Sequence, residues 1–294
     1  MDSAAPGLVR DLREDTVLAG VLPFFNDPAP ARRFAEEGIL CLDMPHGASW
    51  RYLDLGGGDG FLASRVSAAL RERGVFPTTT VVDGNARSLL VAQRAGLRVR
   101  RVAIEALDAP GTDLFTMRLV NHYNGLSRFA AMLARIHRNL ASTGYFVSQI
   151  ETGSRRMCLY RSLLARRLDR WTRRDDERAR GESCRWITSD RYLAMLGHAG
   201  FETVKVATPF MQFDTPLTTM LRFGLERFDA AGSLGEARRR DFVAMGTALA
   251  HRMLGPADGL DGEGEHARVR NTHALFVVRR SAQADIATPS RRNS

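Results

Sequence analysis

Lysine is all but missing from this 294-residue chain. Lys205 is the single example, so the 42 basic residues behind the net charge of +9 are nearly all arginine. An Arg- and Ala-rich chain with almost no lysine reads as GC-rich coding rather than as a surface built for a polyanion, and nucleic-acid binding is not expected. Cysteine is scarce as well. Cys41, Cys158 and Cys184 are odd in number, and no two stand in CxxC spacing. That excludes a disulfide framework and a thiolate zinc site. No two histidines stand four apart or share facial-triad spacing with a carboxylate, so no metal is expected. No apolar run approaches the roughly 20 residues of a membrane span. The stretch from Met1 to Asp15 carries Asp2, Asp11, Glu14 and Asp15 and lacks the apolar core of a secretion signal. A reduced, cytoplasmic protein is the expectation.

What is present is ordinary core material. Hydrophobic residues make up 44% and charged residues 26%, which suffices for one α/β domain with insertions. Residues 1–49 read as a helical lid segment, with Phe24–Phe25 and a short helix from Ala31 to Ile39. From Trp50 the pattern alternates. The strand Tyr52–Leu55 ends in Gly56–Gly57–Gly58–Asp59–Gly60, and Phe61 to Arg73 follows with Leu62, Val66, Ala69 and Leu70 on one helical face. A second strand, Thr78 to Val82, leads to Asp83–Gly84–Asn85 and a helix from Ala86 to Ala95. Arg98 to Ile104, Leu114 to Val120 and Tyr145 to Ile150 read as three more strands, with a helix from Phe129 to Leu140. A long Arg-rich helix occupies Ser154 to Arg180, and its charges read as a solvated face. Thr188 to Gly197 is helical, Thr203 to Val206 extended, and 208–258 a helical insertion. Its aromatics, with Phe24–Phe25, serve as lids, as docking contacts or as a homodimer contact. Residues 259–268 read as a mobile loop, Asn271 to Arg279 as a last strand, and 282–294 as a disordered tail. Strand–helix alternation with short links calls for a parallel sheet covered on both faces, with ligands at the carboxyl ends of its strands.

The glycine turn after Asp54 admits two ligands. Gly58–Asp59–Gly60–Phe61–Leu62–Ala63 matches the dinucleotide pattern GxGxxA, with Asp83 downstream for a ribose. Against it, the turn begins earlier, at Gly56, and Asp59 sets a negative charge where a pyrophosphate belongs. S-adenosylmethionine carries a ribose, an ammonium and a sulfonium but no phosphate, so carboxylates beside it are favourable. Asp83 can accept from both ribose hydroxyls, and Asp54 can favour the ammonium directly or through water. This second ligand is preferred.

The run Asp54 to Gly60 resembles the first motif of class I S-adenosylmethionine-dependent methyltransferases, and Val81–Val82–Asp83 resembles the second. Asp113–Leu114–Phe115 through Asn121–His122–Tyr123 is similar to the fourth-strand motif, and Ala131 to Phe146 to the fifth. Tyr192 to Phe201 resembles a late helix-to-strand turn of the family. The resemblance spans about residues 50–207 and 271–279. It implies a Rossmann-like seven-stranded sheet with the last strand antiparallel, helices on both faces, and an adenosylmethionine site. On that reading Asp54, Gly56, Gly57, Gly58, Asp83, Gly84 and Arg118 hold the cofactor. The family's acid after the third strand falls here on Ala103 or Ile104, so Ile104 is expected on the adenine ring and Glu105 or Asp108 at its edge.

The fourth-strand end is where the family places acceptor-facing groups. His122 is the candidate base, with Asn121 and Tyr123 orienting a polar acceptor; packing of His122 on the cofactor without proton transfer is the plainer alternative. Arg155 and Arg156 are placed to meet an anionic acceptor. The expected activity is methyl transfer to a small molecule, in specialised metabolism. One alternative is attack on the methionine side chain, with transfer or cyclisation of the aminocarboxypropyl group and release of methylthioadenosine. A weaker one is a nucleic-acid-binding or RNA-modifying protein.

Overall fold

The computed structural model describes residues 28–171, 185–228 and 234–281. Phe24–Phe25, Cys184, the acidic run at 175–177 and the expected tail at 282–294 lie outside the described residues.

A helix, α1 (Pro28–Gly38), precedes an alternating core. That core runs β1 (Ser49–Leu55), α2 (Phe61–Glu72), β2 (Phe76–Asp83), α3 (Ala86–Arg94), β3 (Arg98–Arg101), β4 (Thr112–Arg118), α4 (Leu126–Asn139) and β5 (Leu140–Thr152). Then follow α5 (Arg155–Trp171), α6 (Ser189–His198), β6 (Phe201–Pro216), α7 (Leu217–Phe228), α8 (Glu236–Met253), β7 (Leu260–Asp261) and β8 (Arg268–Arg280). The sheet order is β3-β2-β1-β4-β5-β8-β6, with β7 paired to β8 off that path. β1 to β5 pair in parallel, and β8 runs antiparallel to both β5 and β6. The seven expected strands are therefore present with the expected direction of the last one, and a two-residue strand is added.

The central strands are apolar on both faces because helices cover both. On one side α1 and α2 pack Phe34, Leu62, Val66 and Leu70 against Tyr52, Val147 and Leu275. On the other, α4 and α6 pack Phe129, Leu133 and Tyr192 against Phe115, Phe146 and Phe276. Local signals start the helices. The Asn85 side chain accepts from the Arg87 N–H at 3.0 Å to cap α3, and the Thr188 hydroxyl caps α6. The part of the expected lid that is described, α1, is docked on the sheet: Gly38 lies so close to Val147 that a Cβ there would come within 2.8 Å of its methyl.

The far side of the sheet departs from expectation. β6 continues to Pro216, so the helical insertion begins at Leu217, not near 208. The reason is the long β8, which pairs with β6 as far as Pro216↔Arg268. Residues 211–216 pair along β8, after an irregularity at 208–210 that the ladder spans. Phe210 is buried in the core beside α1, with Arg33 stacked over its ring at 5.1 Å. Residues 259–268, expected as a mobile loop, include β7, whose Leu260 is buried and pairs with Val269. β3 is shorter than expected and gives way to a 3-10 turn at Ile104–Ala106. The insertion helices α7 and α8 build a third core with α5, in which Tyr160, Leu221, Phe242 and Val269 meet. The Tyr160 hydroxyl donates to the Gly246 carbonyl at 3.0 Å.

Candidate active site

Strand order reverses between β1 and β4, and in an open α/β sheet such a switch point leaves a crevice beyond the carboxyl ends of the strands. The glycine turn sits on one lip of it. Gly56 and Gly58 have φ of +64° and +55°, a region closed to most side chains. A Cβ on Gly56 would come within 2.5 Å of Val120 at the β4 tip, and one on Gly57 within 2.5 Å of Asp54 Oδ2. The turn therefore needs glycine for its own closure as well as for a ligand's approach.

Asp54 is buried beneath this turn. Tyr52 OH lies 2.8 Å from Thr116 Oγ1, which donates to Asp54 Oδ1 at 2.6 Å. Burial, and then the Asp54 charge, push the Tyr52 phenol well above its usual range. Asp83 ties the β2 tip to the β1 tip. Its Oδ2 accepts from Gly58 N–H at 2.9 Å and its Oδ1 from Asn85 N–H at 2.7 Å. A carboxylate has about four lone-pair sites, so two remain for hydroxyls arriving from the crevice. Gly84 is exposed, and a Cβ there would meet nothing within 4 Å. Ile104 is buried in the α4 core, and Glu105 Oε1 accepts from Arg128 Nε at 2.7 Å, so this carboxylate is turned toward α4. Asp108 is exposed, and its carbonyl accepts from Arg100.

At the β4 tip Leu119 holds φ at +60°, a strained value for a branched side chain, and its N–H donates to the Gln149 carbonyl at 2.9 Å. Residues Asn121–Tyr123 form one 3-10 turn directly after it. Asn121 is 2% exposed, and neither its amide oxygen nor its amide nitrogen has a hydrogen-bond partner among the described residues. A buried amide left unmade costs about 1–3 kcal/mol, so a partner reaching it would be favourable. His122 is 1% exposed. Its ring stacks on Trp186 with centroids 5.1 Å apart and lies 4.3 Å from the Tyr123 ring.

Beyond the tips lies a buried ionic network that sequence reasoning missed. Trp186 Nε1 donates to Glu151 Oε2 at 2.8 Å, and the Arg161 guanidinium donates to Glu151 Oε1. Arg161 also donates to Asn271 Oδ1 at 2.7 Å, and Asn271 donates to Thr215 at 2.8 Å. Burial alone would raise the Glu151 carboxyl, but Arg161, His122, His273 and the Trp186 indole together outweigh it and hold it at about 2. Burial drives His273 down to about 4; Glu151 opposes this, while Arg161 and Arg118 add to it. Gln149 and the Nδ1 of His273 are 2.8 Å apart. Arg118, Glu151 and His273 stand on β4, β5 and β8 as near neighbours in register, Arg118↔Gln149 and Glu151↔His273. The one signal for Glu151 in the sequence was an acid at a strand end, the same signal that singled out Asp54 and Asp83. Arg161 had none, since on a helix full of arginines nothing marks the one that turns inward.

Arg155 and Arg156 are exposed, and Arg156 stands 3.7 Å from Asp258. No group of three or more His, Cys, Asp or Glu able to hold a metal occurs among the described residues. Cys41 and Cys158 are both free thiols. No described helix is long and apolar enough to cross a membrane.

No family model matches the sequence, and no curated protein is detectably similar to it. Similarity emerges at the level of structure. A candidate methyltransferase of Bacillus halodurans is similar with a TM-score of 0.60 at 14% identity, covering 86% of this chain and 100% of its own. The YcgJ protein of Bacillus subtilis follows at 0.55 and 15% identity, covering 81% and 94%. SpnF, a (4+2) cyclase, gives 0.51 at 16% identity, covering 85% and 80%. Such distant likeness establishes an architecture and leaves the reaction to the site.

Proposed function

On a chain with the fold of the class I S-adenosylmethionine-dependent methyltransferases, we propose that the crevice at the β1 and β4 tips binds S-adenosylmethionine and that the protein transfers its methyl group to a small molecule. The observation that carries the reading is the pairing of a half-satisfied carboxylate, Asp83, with a buried amide, Asn121, that has no partner among the described residues. These flank a turn whose left-handed glycines keep Cβ atoms out of the crevice. The donor set fits a phosphate-free cationic nucleoside. Asp54, Asp59 and Asp83 surround the turn, a poor environment for a pyrophosphate and a good one for an ammonium or sulfonium.

In this reading Asp83 holds the ribose hydroxyls, and Gly56 to Gly58 bring backbone close to the ligand. Asp54, locked by Thr116, supports the turn from below and contributes its field. Asn121 orients the amino-acid end. S-adenosylmethionine, when bound, supplies a methyl group already activated on a sulfonium. The protein's work is then to position the acceptor and exclude water, worth several kcal/mol by proximity alone. His122, next along the β4 tip, is the residue to take a proton at a ring nitrogen where the acceptor is a hydroxyl. A specialised-metabolic role accords with this reading.

Calorimetry with S-adenosylmethionine, S-adenosylhomocysteine and NAD tests the cofactor. Tight binding of the first two and none of the third is expected; the reverse ends the proposal. Mass spectrometry of turnover mixtures tests the chemistry. S-adenosylhomocysteine supports methyl transfer, and methylthioadenosine would replace it by transfer of the aminocarboxypropyl group.

A further inference from the structure

A second cleft, of about 350 Å³, opens where the β5 tip, the middle of β6, the start of β8 and the turn at 257–259 meet. Thr152, Ser154, Ser189, Thr208, Thr272 and Gln212 line it, beside small apolar stretches at Pro209 and Ala257. No aromatic or long aliphatic side chain contributes to the lining. Some of this capacity is used internally: Ser154 donates to Asp258 and accepts from the Met157 N–H, Thr152 donates to the Ile187 carbonyl, and Gln212 donates to Thr272 at 3.2 Å. The second amide proton and the oxygen of Gln212 and the hydroxyl proton of Thr272 remain for a ligand, beside Thr208. The two charged members already face counter-charges. Asp258 accepts from Ser154 Oγ at 2.7 Å and stands 3.7 Å from Arg156, and Arg270 lies 3.5 Å from Asp214. The cleft thus offers hydrogen bonds without a net charge to satisfy. An anion in the cleft would face the Asp258 carboxylate in its wall, and a ligand without hydroxyls would leave the Thr272 and Gln212 groups unmade.

One segment of chain ties the cleft wall to the β4 tip. Thr152 Oγ1 donates to the Ile187 carbonyl at 3.0 Å, and Ser189 Oγ lies 3.5 Å from Thr152 Oγ1. The segment 186–189 therefore has Trp186, stacked on His122, at one end and Ser189, in the cleft wall, at the other. Glu151 anchors that Trp186 end and is the residue directly before Thr152. We infer that this cleft holds an uncharged, hydroxyl-rich part of the methyl acceptor, a polyol or sugar-like group. The inference rests on the adenosylmethionine reading above and replaces the anionic acceptor expected from Arg155 and Arg156.

Saturation-transfer NMR on the full chain with S-adenosylhomocysteine present tests it, using methyl β-D-glucopyranoside, sodium D-glucuronate and cyclohexanol as separate probes. The glucopyranoside is expected to receive saturation well above the other two. Thr272→Val and Gln212→Met, which keep side-chain size and lie outside the proposed cofactor and proton machinery, are each expected to cut that signal at least five-fold. Calorimetric affinity for S-adenosylhomocysteine should not change in either variant. Stronger saturation of glucuronate or cyclohexanol, or a glucopyranoside signal indifferent to both substitutions, overturns the inference while leaving the cofactor reading intact. Failure of S-adenosylhomocysteine to bind the unaltered protein removes the cofactor reading, and the acceptor assignment with it.

Discussion

The indole of Trp186 lies nearly parallel to the imidazole of His122, with planes 16° apart and centroids at 5.1 Å. The two residues come from different elements, and a third element fixes their relation, because Glu151 at the β5 tip accepts the indole N–H. A ring held face-on shields the protons of its neighbour. Proton NMR should therefore place the His122 imidazole signals upfield of those of the other histidines. Trp186→Ala should move them downfield, whereas Trp186→Phe, which keeps a ring but loses the Glu151 bond, should leave an intermediate shift. Unmoved His122 signals in Trp186→Ala would mean that the stack does not persist in solution.

Glu151 and Arg161 should be strongly interdependent. Glu151→Gln or Arg161→Met alone leaves an uncompensated buried charge and should cost about 3–5 kcal/mol of unfolding free energy. The double substitution should recover most of that, since removing both partners of a buried pair is often close to neutral. Urea unfolding of the four proteins measures the coupling. Additive losses would show that the pair is not enclosed as it stands here.

Acid should destabilise the protein in two overlapping steps. His273 titrates near 6.5 when unfolded and at about 4 when folded, so the unfolded chain binds the extra proton between those values. Its contribution is complete above pH 6.5 and is lost as pH falls to about 4. By the free energy of a pKa unit, that loss is on the order of 3 kcal/mol. Glu151, ordinarily near 4.5 and here at about 2, adds a second loss between those values. Stability measured by denaturant should be level from pH 7.5 to 6.5 and then fall, first through the His273 step to about pH 4 and then through the Glu151 step toward pH 2. His273→Gln should flatten the part above pH 4.5; an unchanged slope in that variant would remove the assignment.

Two neighbouring glycines should behave oppositely. Gly57→Ala puts a methyl 2.5 Å from the Asp54 carboxylate and should cost about 1–3 kcal/mol, with loss of adenosylmethionine binding. Gly84→Ala meets nothing within 4 Å and should stay within about 0.5 kcal/mol of the unaltered protein. Thermal unfolding and calorimetry separate the two. A Gly84→Ala variant that folds but does not bind would move the ligand toward the β2 tip.

Asp83→Ala should abolish measurable adenosylmethionine binding. Two bonds to a charged acceptor, at about 1.5–3 kcal/mol each, amount to a loss on the order of 100-fold or more. Some stability should go as well, because Gly58 and Asn85 lose their acceptor. Retained affinity in a folded Asp83→Ala protein would exclude Asp83 from the site.

The first half of the chain was legible because its signals are local. An apolar run followed by Gly56 to Gly60 and a helical stripe is enough to identify a strand, a turn and a helix, and Asn85 caps α3 with its own side chain. The second half was less legible because its partners are distant in sequence. The pattern at 208–216 suits a helix, yet the segment is strand because β8 lies alongside it. In the first half Glu105 meets the same limit, since its carboxylate accepts from Arg128 of α4, a partner that no local pattern announces.

Within the candidate site the same division holds. Asp54, the glycine turn, Asp83 and the Asn121–Tyr123 tip declare themselves in sequence, since backbone conformation and strand position determine what they can do. The partnership of Glu151 with Arg161, Trp186 and His273 does not, because those residues gain their chemistry only on losing water together. Desolvation and pairing are properties of an enclosed space, and only the assembled sheet with α5 against it creates one here.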